Sequence, residues 1–189
     1  MTKQQAVDAL IAAYRTEVEY RRRTFVADDA TKANIEQFAT FLTSDGSRFG
    51  VLFSGICGNG KTTLLYAFQT LLNYLSDLGM FDEHTGITIV DAKEVVLYAK
   101  DVKRFRELKE RPRLAIEDMG REAVEVLDYG NVLNPVIDLL EYRYNEQLFT
   151  IITTNLVPKE IRERYGNRIA DRFNEMFDKV IFANETYRK

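Results

Sequence analysis

The sequence predicts an α/β fold in which a parallel β-sheet lies between two layers of helices. Short apolar and β-branched segments alternate with segments whose apolar residues recur at helical spacing over most of the 189-residue chain. The segment 87–92 is β-branched and apolar, as expected of a buried strand in a parallel sheet. A three-layer arrangement of sheet and helices buries such strands.

Two helices are predicted before the first strand. Apolar residues at helical spacing indicate an amphipathic helix over residues 3–22 and a second helix from about Thr31. Serine, aspartate and glycine then predict a turn at 44–50. Strands are predicted at 50–54, 87–92, 113–118, 148–155 and 179–183. Helices are predicted at 61–77, 94–110 and 132–147, and as two short helices divided at Gly166.

Composition and charge limit the classes of function. The formal net charge of −3 gives no overall attraction to nucleic acid, so any such contact must come from a local patch. Cys57 is the single cysteine, which excludes an internal disulfide and a cysteine-cluster zinc site. No segment has the roughly eighteen uncharged apolar residues of a membrane helix, and the N-terminal sequence lacks the pattern of a secretion signal. We therefore expect a cytoplasmic protein.

Residues 55–62 match the phosphate-binding pattern G-x-x-x-x-G-K-[ST] in full. Their position between a predicted strand and a predicted helix argues against a chance match in a turn. Glycines let backbone N–H groups approach phosphates, and the helix adds its positive N-terminal end. Lys61 is expected to reach the β- and γ-phosphates of ATP, and the Thr62 hydroxyl to hold Mg²⁺. The expected nucleotide-binding residues are Gly55, Ile56, Cys57, Gly58, Asn59, Gly60, Lys61, Thr62 and Thr63.

Two carboxylates, Glu117 and Asp118, end the predicted strand at 113–118. A phosphate-binding loop needs a carboxylate on a neighbouring strand to hold Mg²⁺, and ligands of open parallel sheets gather at the carboxyl ends of strands. One carboxylate would organise the metal, and the other would orient or deprotonate the attacking water. The alternative is a solvated acidic strand end.

Asn155 ends the predicted strand at 148–155. Its amide would lie beside the γ-phosphate of ATP if this strand neighbours the strand that precedes the phosphate loop. The alternative is an asparagine that forms a turn before Pro158.

A pair of arginines, Arg168 and Arg172, lies four residues apart and so projects from one face of a predicted helix. Arginine at such a place can stabilise charge on a transferring phosphoryl group, in the same subunit or from a neighbouring one. The alternative is a salt bridge to Glu163 or Asp171.

Taken in order, these motifs resemble the AAA+ ATPases of the DnaC/DnaI helicase-loader and IstB transposition-helper group. The motifs are VLFSGICGNGKTTL, LAIEDMG, FTIITTNL and RYGNRIADRF, and the resemblance spans roughly residues 30–183. The phosphate loop is shared with many NTPases, whereas ITTNL followed by RYGNRIADR is more specific to this group. The resemblance implies a three-layer P-loop NTPase fold of AAA+ type, with a five-stranded parallel sheet in the order 5-1-4-3-2.

The resemblance also implies roles for the nucleotide-site motifs. Residues 55–62 would be the Walker A motif, Glu117 and Asp118 the Walker B motif, and Asn155 the sensor-1 residue that responds to the γ-phosphate. The family usually has Asp-Glu or Asp-Asp at Walker B. The order Glu-Asp in this chain would slow hydrolysis or shift the geometry of the site.

Arg172 matches the arginine finger that reaches the ATP site of the next subunit in this family, and Arg168 matches its companion. Arg143 matches an arginine often found before the sensor strand, for which the resemblance implies no role. A homo-oligomer is therefore expected when ATP is bound.

The resemblance has two departures in domain content. Bacterial loaders carry a separate N-terminal domain that grips the helicase, whereas only about thirty residues precede the core of this chain. We expect an N-terminal amphipathic helix at 1–29 and an AAA+ core at 30–189. Because the chain ends soon after 179–183, we also expect no C-terminal helical lid domain and no sensor-2 arginine, which weakens the case for stable self-assembly.

A basic segment between the second predicted strand and the acidic pair is a candidate surface for single-stranded DNA. Tyr98 and Phe105 are candidates for stacking on bases. The alternative is a solvated helix of mixed charge. The basic residues are Lys100, Lys103, Arg104, Arg106, Lys109, Arg111 and Arg113.

These expectations combine into an ATP-binding AAA+ ATPase of DNA replication that resembles a helicase loader. It would couple ATP binding and hydrolysis, with Mg²⁺, to remodelling of a replicative helicase and DNA. The alternative within the same chemistry is a transposition helper that delivers a transposase to target DNA. A P-loop kinase for a small molecule and a slow nucleotide-dependent switch are further alternatives, and no membrane partner is expected.

Overall fold

The structure is a computed structural model and describes residues 1–128 and 131–187. Arg188 and Lys189, which end the predicted core at 30–189, lie outside the described residues. The helices are α1 (Lys3–Tyr20), α2 (Asp29–Thr43), α3 (Lys61–Asp77), α4 (Ala92–Tyr98), α5 (Val102–Lys109), α6 (Pro135–Asn145) and α7 (Pro158–Met176). The strands are β1 (Gly50–Gly55), β2 (Thr88–Asp91), β3 (Arg113–Met119), β4 (Val126–Asp128), β5 (Asn131–Leu133), β6 (Phe149–Thr154) and β7 (Phe177–Phe182).

Five strands form one sheet in the order β2-β3-β6-β1-β7. The pairs β2–β3, β3–β6 and β6–β1 are parallel, and the predicted α/β fold with a five-stranded parallel sheet is confirmed. The strands β4 and β5 form a separate antiparallel hairpin, so the numbering in chain order differs from the predicted one. When only the strands of the large sheet are counted, the order from β7 is 5-1-4-3-2.

The chain divides into two compact units. The first unit contains Met1–Ser47, Gly55–Ile87 and the described residues from Val180 onward. The second unit contains Arg48–Ser54 and Thr88–Lys179, and therefore most of the sheet. The boundary expected between an N-terminal helix at 1–29 and a core at 30–189 stays a prediction.

In the first unit, side-chain caps define where the two N-terminal helices begin. Thr2 and Gln5 form a capping box at the start of α1. The carboxylate of Asp28 accepts a hydrogen bond from the Thr31 N–H, at 2.7 Å, and caps α2. This cap explains why α2 begins two residues before the predicted start.

In the second unit, the helix predicted at 94–110 is divided into α4 and α5. The Asp101 carboxylate accepts hydrogen bonds from the N–H groups of Lys103 and Arg104, at 3.0 Å each, and so caps a new helix. The continuous apolar and basic pattern conceals this break, because the cap residue lies inside a charged run. Tyr98 and Lys103 therefore lie on different helices.

The helix predicted at 132–147 begins later, at Pro135, and the β4–β5 hairpin precedes it. Val132, the first residue of the predicted helix, lies instead in β5 and is 55% exposed. Proline at the first helical position is favourable because its missing N–H needs no partner there. The strands of the hairpin have three residues each, too few to give a strand pattern.

The division predicted at Gly166 is confirmed as a kink inside α7. Gly166 has φ 84° and ψ 166°, a backbone conformation that interrupts the helix and favours glycine. The two parts of α7 therefore run in different directions on either side of this residue.

Arg143 is fully buried near the end of α6 and joins three segments of the second unit. Its guanidinium donates to the Thr150 hydroxyl at 2.8 Å and to the carbonyl oxygens of Lys109, Arg111 and Phe149, at 3.0, 2.7 and 2.6 Å. Burial lowers the pKa of Arg143 to about 10, so the side chain remains charged at neutral pH. The arginine without an assigned role is thus a structural link between α6, the α5–β3 connection and β6.

We predict that Arg143→Met lowers the free energy of unfolding by about 2–4 kcal/mol, because three partly buried carbonyl groups and a buried hydroxyl lose their donor. Urea unfolding of the variant measures the change. The control is Arg106→Met at an exposed position, which should change the free energy by less than about 0.5 kcal/mol. Equal effects of the two substitutions would contradict the linking role of Arg143.

Candidate nucleotide-binding site

The phosphate loop connects the end of β1 to the start of α3, as the sequence predicts. Gly55, Gly58 and Gly60 have φ of 147°, 83° and 103°, which side-chain-bearing residues rarely adopt. A Cβ on Gly55 would lie 2.4 Å from the Phe182 carbonyl oxygen. On Gly60, a Cβ would lie 2.6 Å from the Tyr14 hydroxyl. The backbone of the loop therefore requires glycine for conformation and for space.

Lys61 is 5% exposed, and its ammonium group returns to the loop. Nζ donates to the carbonyl oxygens of Gly55 and Ile56, at 2.6 and 2.7 Å, and to Asn59 Oδ1 at 3.0 Å. These neutral acceptors hold the cation at the centre of the loop. Phosphate oxygens carry full negative charge, so they would be stronger acceptors for the same ammonium group.

The other expected loop residues have different environments. Ile56 is 57% exposed and Cys57 is exposed, whereas Asn59 is 1% exposed. Thr62 and Thr63 are half-buried in the first turn of α3. The N-cap of α3 is Gly60, which makes no side-chain cap hydrogen bond, and the positive end of a helix dipole is a favourable place for an anion.

The acidic pair lies at the end of β3, where the pairing with β6 shifts register between Ile116 and Met119. Glu117 and Asp118 are both half-buried. Asp118 has φ 54°, a left-handed conformation that is uncommon for residues other than glycine. Its N–H donates to Thr153 Oγ1 at 2.9 Å. This irregularity turns the strand end away from the regular pleat.

The Asp118 carboxylate forms an ion pair with Arg121, three residues further along the chain. Arg121 is more than half exposed, so the pair is open to water and its partner can be exchanged. Arg121 could not be identified from the sequence, because a basic residue after an acidic pair has no distinctive spacing.

Asn155 is exposed directly after β6. β6 is paired in register with β1, with Thr153 opposite Phe53 and Thr154 opposite Ser54. The strand before Asn155 therefore neighbours the strand that precedes the phosphate loop, as the expected role of Asn155 requires. The other side of β6 pairs with β3.

The two arginines of α7 share one carboxylate, that of Glu141 on α6. Arg168 Nε and Arg172 Nη1 each lie 3.0 Å from Glu141 Oε1. The two arginines thus form salt bridges, as the alternative interpretation predicted, but the predicted partners are wrong. Asp171 pairs with Arg162, and Glu163 pairs with Lys159. The sequence did not single out Glu141, which lies 27 and 31 residues from the arginines.

The two arginines differ in exposure. The Arg168 side chain is 70% exposed, whereas that of Arg172 is 16% exposed. The Arg172 guanidinium carbon lies 4.7 Å from the centroid of the Tyr144 ring, within the range of a cation–π contact. Tyr144 in turn donates its hydroxyl hydrogen to Glu175. Arg172 is therefore held between a carboxylate and an aromatic face.

A buried carboxylate, Glu122, connects the segment after β3 to α7. Its side chain is fully buried and accepts hydrogen bonds from the Gly120 N–H, at 2.8 Å, and from the Tyr165 hydroxyl. Burial and the bond to Glu122 raise the pKa of Tyr165. Arg164 donates to the Glu122 carbonyl. This link joins the helix of Arg168 and Arg172 to the segment after the acidic pair.

The basic segment is only partly available as a surface. Phe105 is 9% exposed and belongs to the core of the second unit, so its expected stacking on bases is wrong. Lys109 pairs with Asp138 at 2.6 Å, and Arg113 is half-buried in β3. Tyr98 is 37% exposed. The exposed basic residues are Lys100, Lys103, Arg104, Arg106 and Arg111.

The donor set restricts which cofactor fits. Within residues 1–128 and 131–187, no group of three or more histidine, cysteine, aspartate or glutamate side chains could by itself hold a metal ion. A hydroxyl, one or two carboxylates and nucleotide phosphates form the donor set that suits Mg²⁺. No helix in the described part of the chain has the length and hydropathy to cross a membrane.

No protein-family model and no curated protein matches this chain. Solved structures match its fold. The DnaC helicase loader superposes with a TM-score of 0.64 at 20% identity, covering 83% of this chain and 92% of that one. For DnaI, the TM-score is 0.60 at 22% identity, covering 87% of this chain and 88% of that one.

The replication initiator DnaA, bound to AMPPCP and single-stranded DNA, superposes with a TM-score of 0.58 at 16% identity. The match covers 85% of this chain and 49% of DnaA. At these identities the likeness establishes the fold alone. The chain has the fold of the DnaC helicase loader and of DnaI, which is the fold that the sequence resemblance predicted.

Proposed function

We propose that this protein binds and hydrolyses ATP as an AAA+ ATPase of DNA replication, and acts in the manner of a helicase loader. The observation that carries the proposal is the complete phosphate loop at 55–62, with the ammonium group of Lys61 held at its centre. The fold shared with DnaC and DnaI supports the replication context.

In this proposal the loop binds the phosphates of ATP through its backbone N–H groups and Lys61. Thr62 and one of the two carboxylates, Glu117 or Asp118, would hold Mg²⁺, which would supply neutralising charge at the phosphates. The other carboxylate would orient or deprotonate the attacking water, and Asn155 would donate to the γ-phosphate. The ion pair of Asp118 with Arg121 must open for Asp118 to take either role, which favours slow turnover in the isolated chain.

Arg172, with Arg168 as its companion, would complete the ATP site of a neighbouring subunit. Glu141 forms an ion pair with both arginines in the isolated chain. Phosphate oxygens of an adjacent ATP would compete with this carboxylate for the guanidinium groups. ATP-dependent assembly would thus be coupled to a change at the contact between α6 and α7.

The proposed partners are a replicative helicase and single-stranded DNA. The exposed basic residues of α5 and its flanks supply a local positive surface on a chain with net charge −3, and phosphate contacts account for much of nucleic-acid affinity. DnaA, with the same fold, has been solved with single-stranded DNA.

We predict that Arg172→Ala binds ATP but hydrolyses it at least about a hundredfold more slowly than the wild type, because arginine fingers contribute large factors to phosphoryl transfer. Lys61→Ala should be inactive for lack of phosphate binding. A mixture of the two variants should recover activity, since one interface then joins an intact loop to an intact Arg172. Phosphate release assays at several protein concentrations measure this recovery.

Wild-type activity of Arg172→Ala would contradict the role of this arginine in a neighbouring site. Two inactive variants that stay inactive when mixed would contradict completion of the site by a second subunit. Absence of ATP hydrolysis by the wild type, alone and with helicase and DNA, would overturn the proposed enzymatic function.

We also predict that Lys103→Glu combined with Arg106→Glu weakens binding of single-stranded DNA at least about tenfold at low salt, because two phosphate contacts become repulsive. Fluorescence anisotropy with a labelled oligonucleotide measures the affinity. The matched control, Lys3→Glu combined with Lys159→Glu, reverses two exposed charges elsewhere. Equal losses in both double variants would indicate a general charge effect and contradict the α5 surface.

A further inference from the structure

The segment after β7 returns to the phosphate loop and bonds to its carbonyl groups. The Tyr187 N–H donates to the Gly58 carbonyl oxygen at 2.8 Å. The Asn184 amide donates through Nδ2 to the Asn59 carbonyl oxygen at 3.0 Å. Both acceptors belong to consecutive peptide groups of the loop, and all four residues lie in the first unit.

These bonds fix the direction of the loop's N–H groups, because a trans peptide group is planar and its C=O and N–H point in opposite directions. The Gly58 carbonyl shares a peptide group with the Asn59 N–H, and the Asn59 carbonyl shares one with the Gly60 N–H. When the two carbonyls are held by the segment after β7, those two N–H groups must point away from it. Phosphate binding by such a loop requires N–H groups that converge on one side.

The same segment is anchored to the start of α2. The Tyr187 hydroxyl lies 2.7 Å from Asp28 Oδ2 and 2.9 Å from Thr31 Oγ1. Burial opposes ionisation of Asp28, but hydrogen bonds from the Thr31 N–H and from Tyr187 outweigh it and lower the pKa of Asp28. The carboxylate is therefore charged at neutral pH, and it caps α2 and holds Tyr187 at the same time.

The Asn59 side chain connects the end of β7 to Lys61. Its Nδ2 donates to the Phe182 carbonyl oxygen at 2.8 Å, while its Oδ1 accepts from Lys61 Nζ at 3.0 Å. The side chain is buried. The end of β7 thus determines where the Asn59 amide lies, and that amide in turn supports the Lys61 ammonium group.

We propose that Asn184 and Tyr187 are positioning residues for phosphate binding, which hold the outer side of the loop so that its N–H groups face the nucleotide before it arrives. This inference rests on the proposed binding of ATP at 55–62. We call the set Asp28, Thr31, Asn184 and Tyr187 the loop brace. In this proposal the side chains of the loop brace do not contact the nucleotide. They affect phosphate binding through the geometry of the loop.

The test compares two ligands in the full-length chain. Mg²⁺ with ATP reports the whole nucleotide site, and Mg²⁺ with inorganic tripolyphosphate reports the phosphate loop without a base or sugar. Asn184→Ala removes the donor to Asn59, and Tyr187→Phe removes the hydroxyl held by Asp28. Tyr20→Phe is the matched control, because Tyr20 is 82% exposed.

We expect Asn184→Ala and Tyr187→Phe each to weaken binding of both ligands by about three- to tenfold, the range of one hydrogen bond. The factor should be the same for ATP and for tripolyphosphate, and thermal unfolding should confirm that each variant is folded. Tyr20→Phe should leave both affinities unchanged. Isothermal titration calorimetry measures the affinities.

Unchanged affinities in both variants would overturn the loop brace. Tighter binding would overturn it as well, because the segment would then obstruct the site. Loss of ATP affinity with unchanged tripolyphosphate affinity would indicate a contact with the base or sugar in place of positioning. A wild-type chain that binds neither ligand would overturn the proposed function itself, which separates the two failures.

Discussion

The central place of β6 is the constraint on which the candidate site depends. β6 pairs in parallel register with β1 on one side and with β3 on the other. Parallel strands end at the same edge of a sheet, so this order brings the strand before the phosphate loop, the acidic pair and Asn155 to neighbouring strand ends. Within the second unit, the carboxylates at the end of β3 and the amide after β6 therefore follow neighbouring strands.

Much of this arrangement was predictable because it is local in sequence. The phosphate loop and α3 are predicted by a spaced motif and an apolar period, and the kink at Gly166 by one glycine inside a helical pattern. Two predicted helices were wrong in their bounds, because a capping residue or a short hairpin interrupts the helical pattern. Asp101 caps a new helix inside a charged run, and a short hairpin occupies the place where an apolar pattern suggested helix.

The supporting contacts were not predictable, because their partners are distant in sequence and ordinary in composition. Tyr187 and Asp28 are 159 residues apart, and no spacing links Glu141 to the arginines of α7. Arg143 resembled a family arginine, but its four bonds depend on where two other segments, the α5–β3 connection and β6, meet α6. The sequence identifies the candidate site residues, whereas the fold determines which other residues hold them in position.

The most direct test of the central claim is titration of the wild-type chain with ATP and Mg²⁺ beside the Lys61→Ala variant. We expect one ATP per chain for the wild type, and at least about tenfold weaker binding when the charged donor is removed. The binding should also weaken when Mg²⁺ is withheld. Equal affinity in the two chains, or no binding by a folded wild-type chain, would contradict a nucleotide site at residues 55–62.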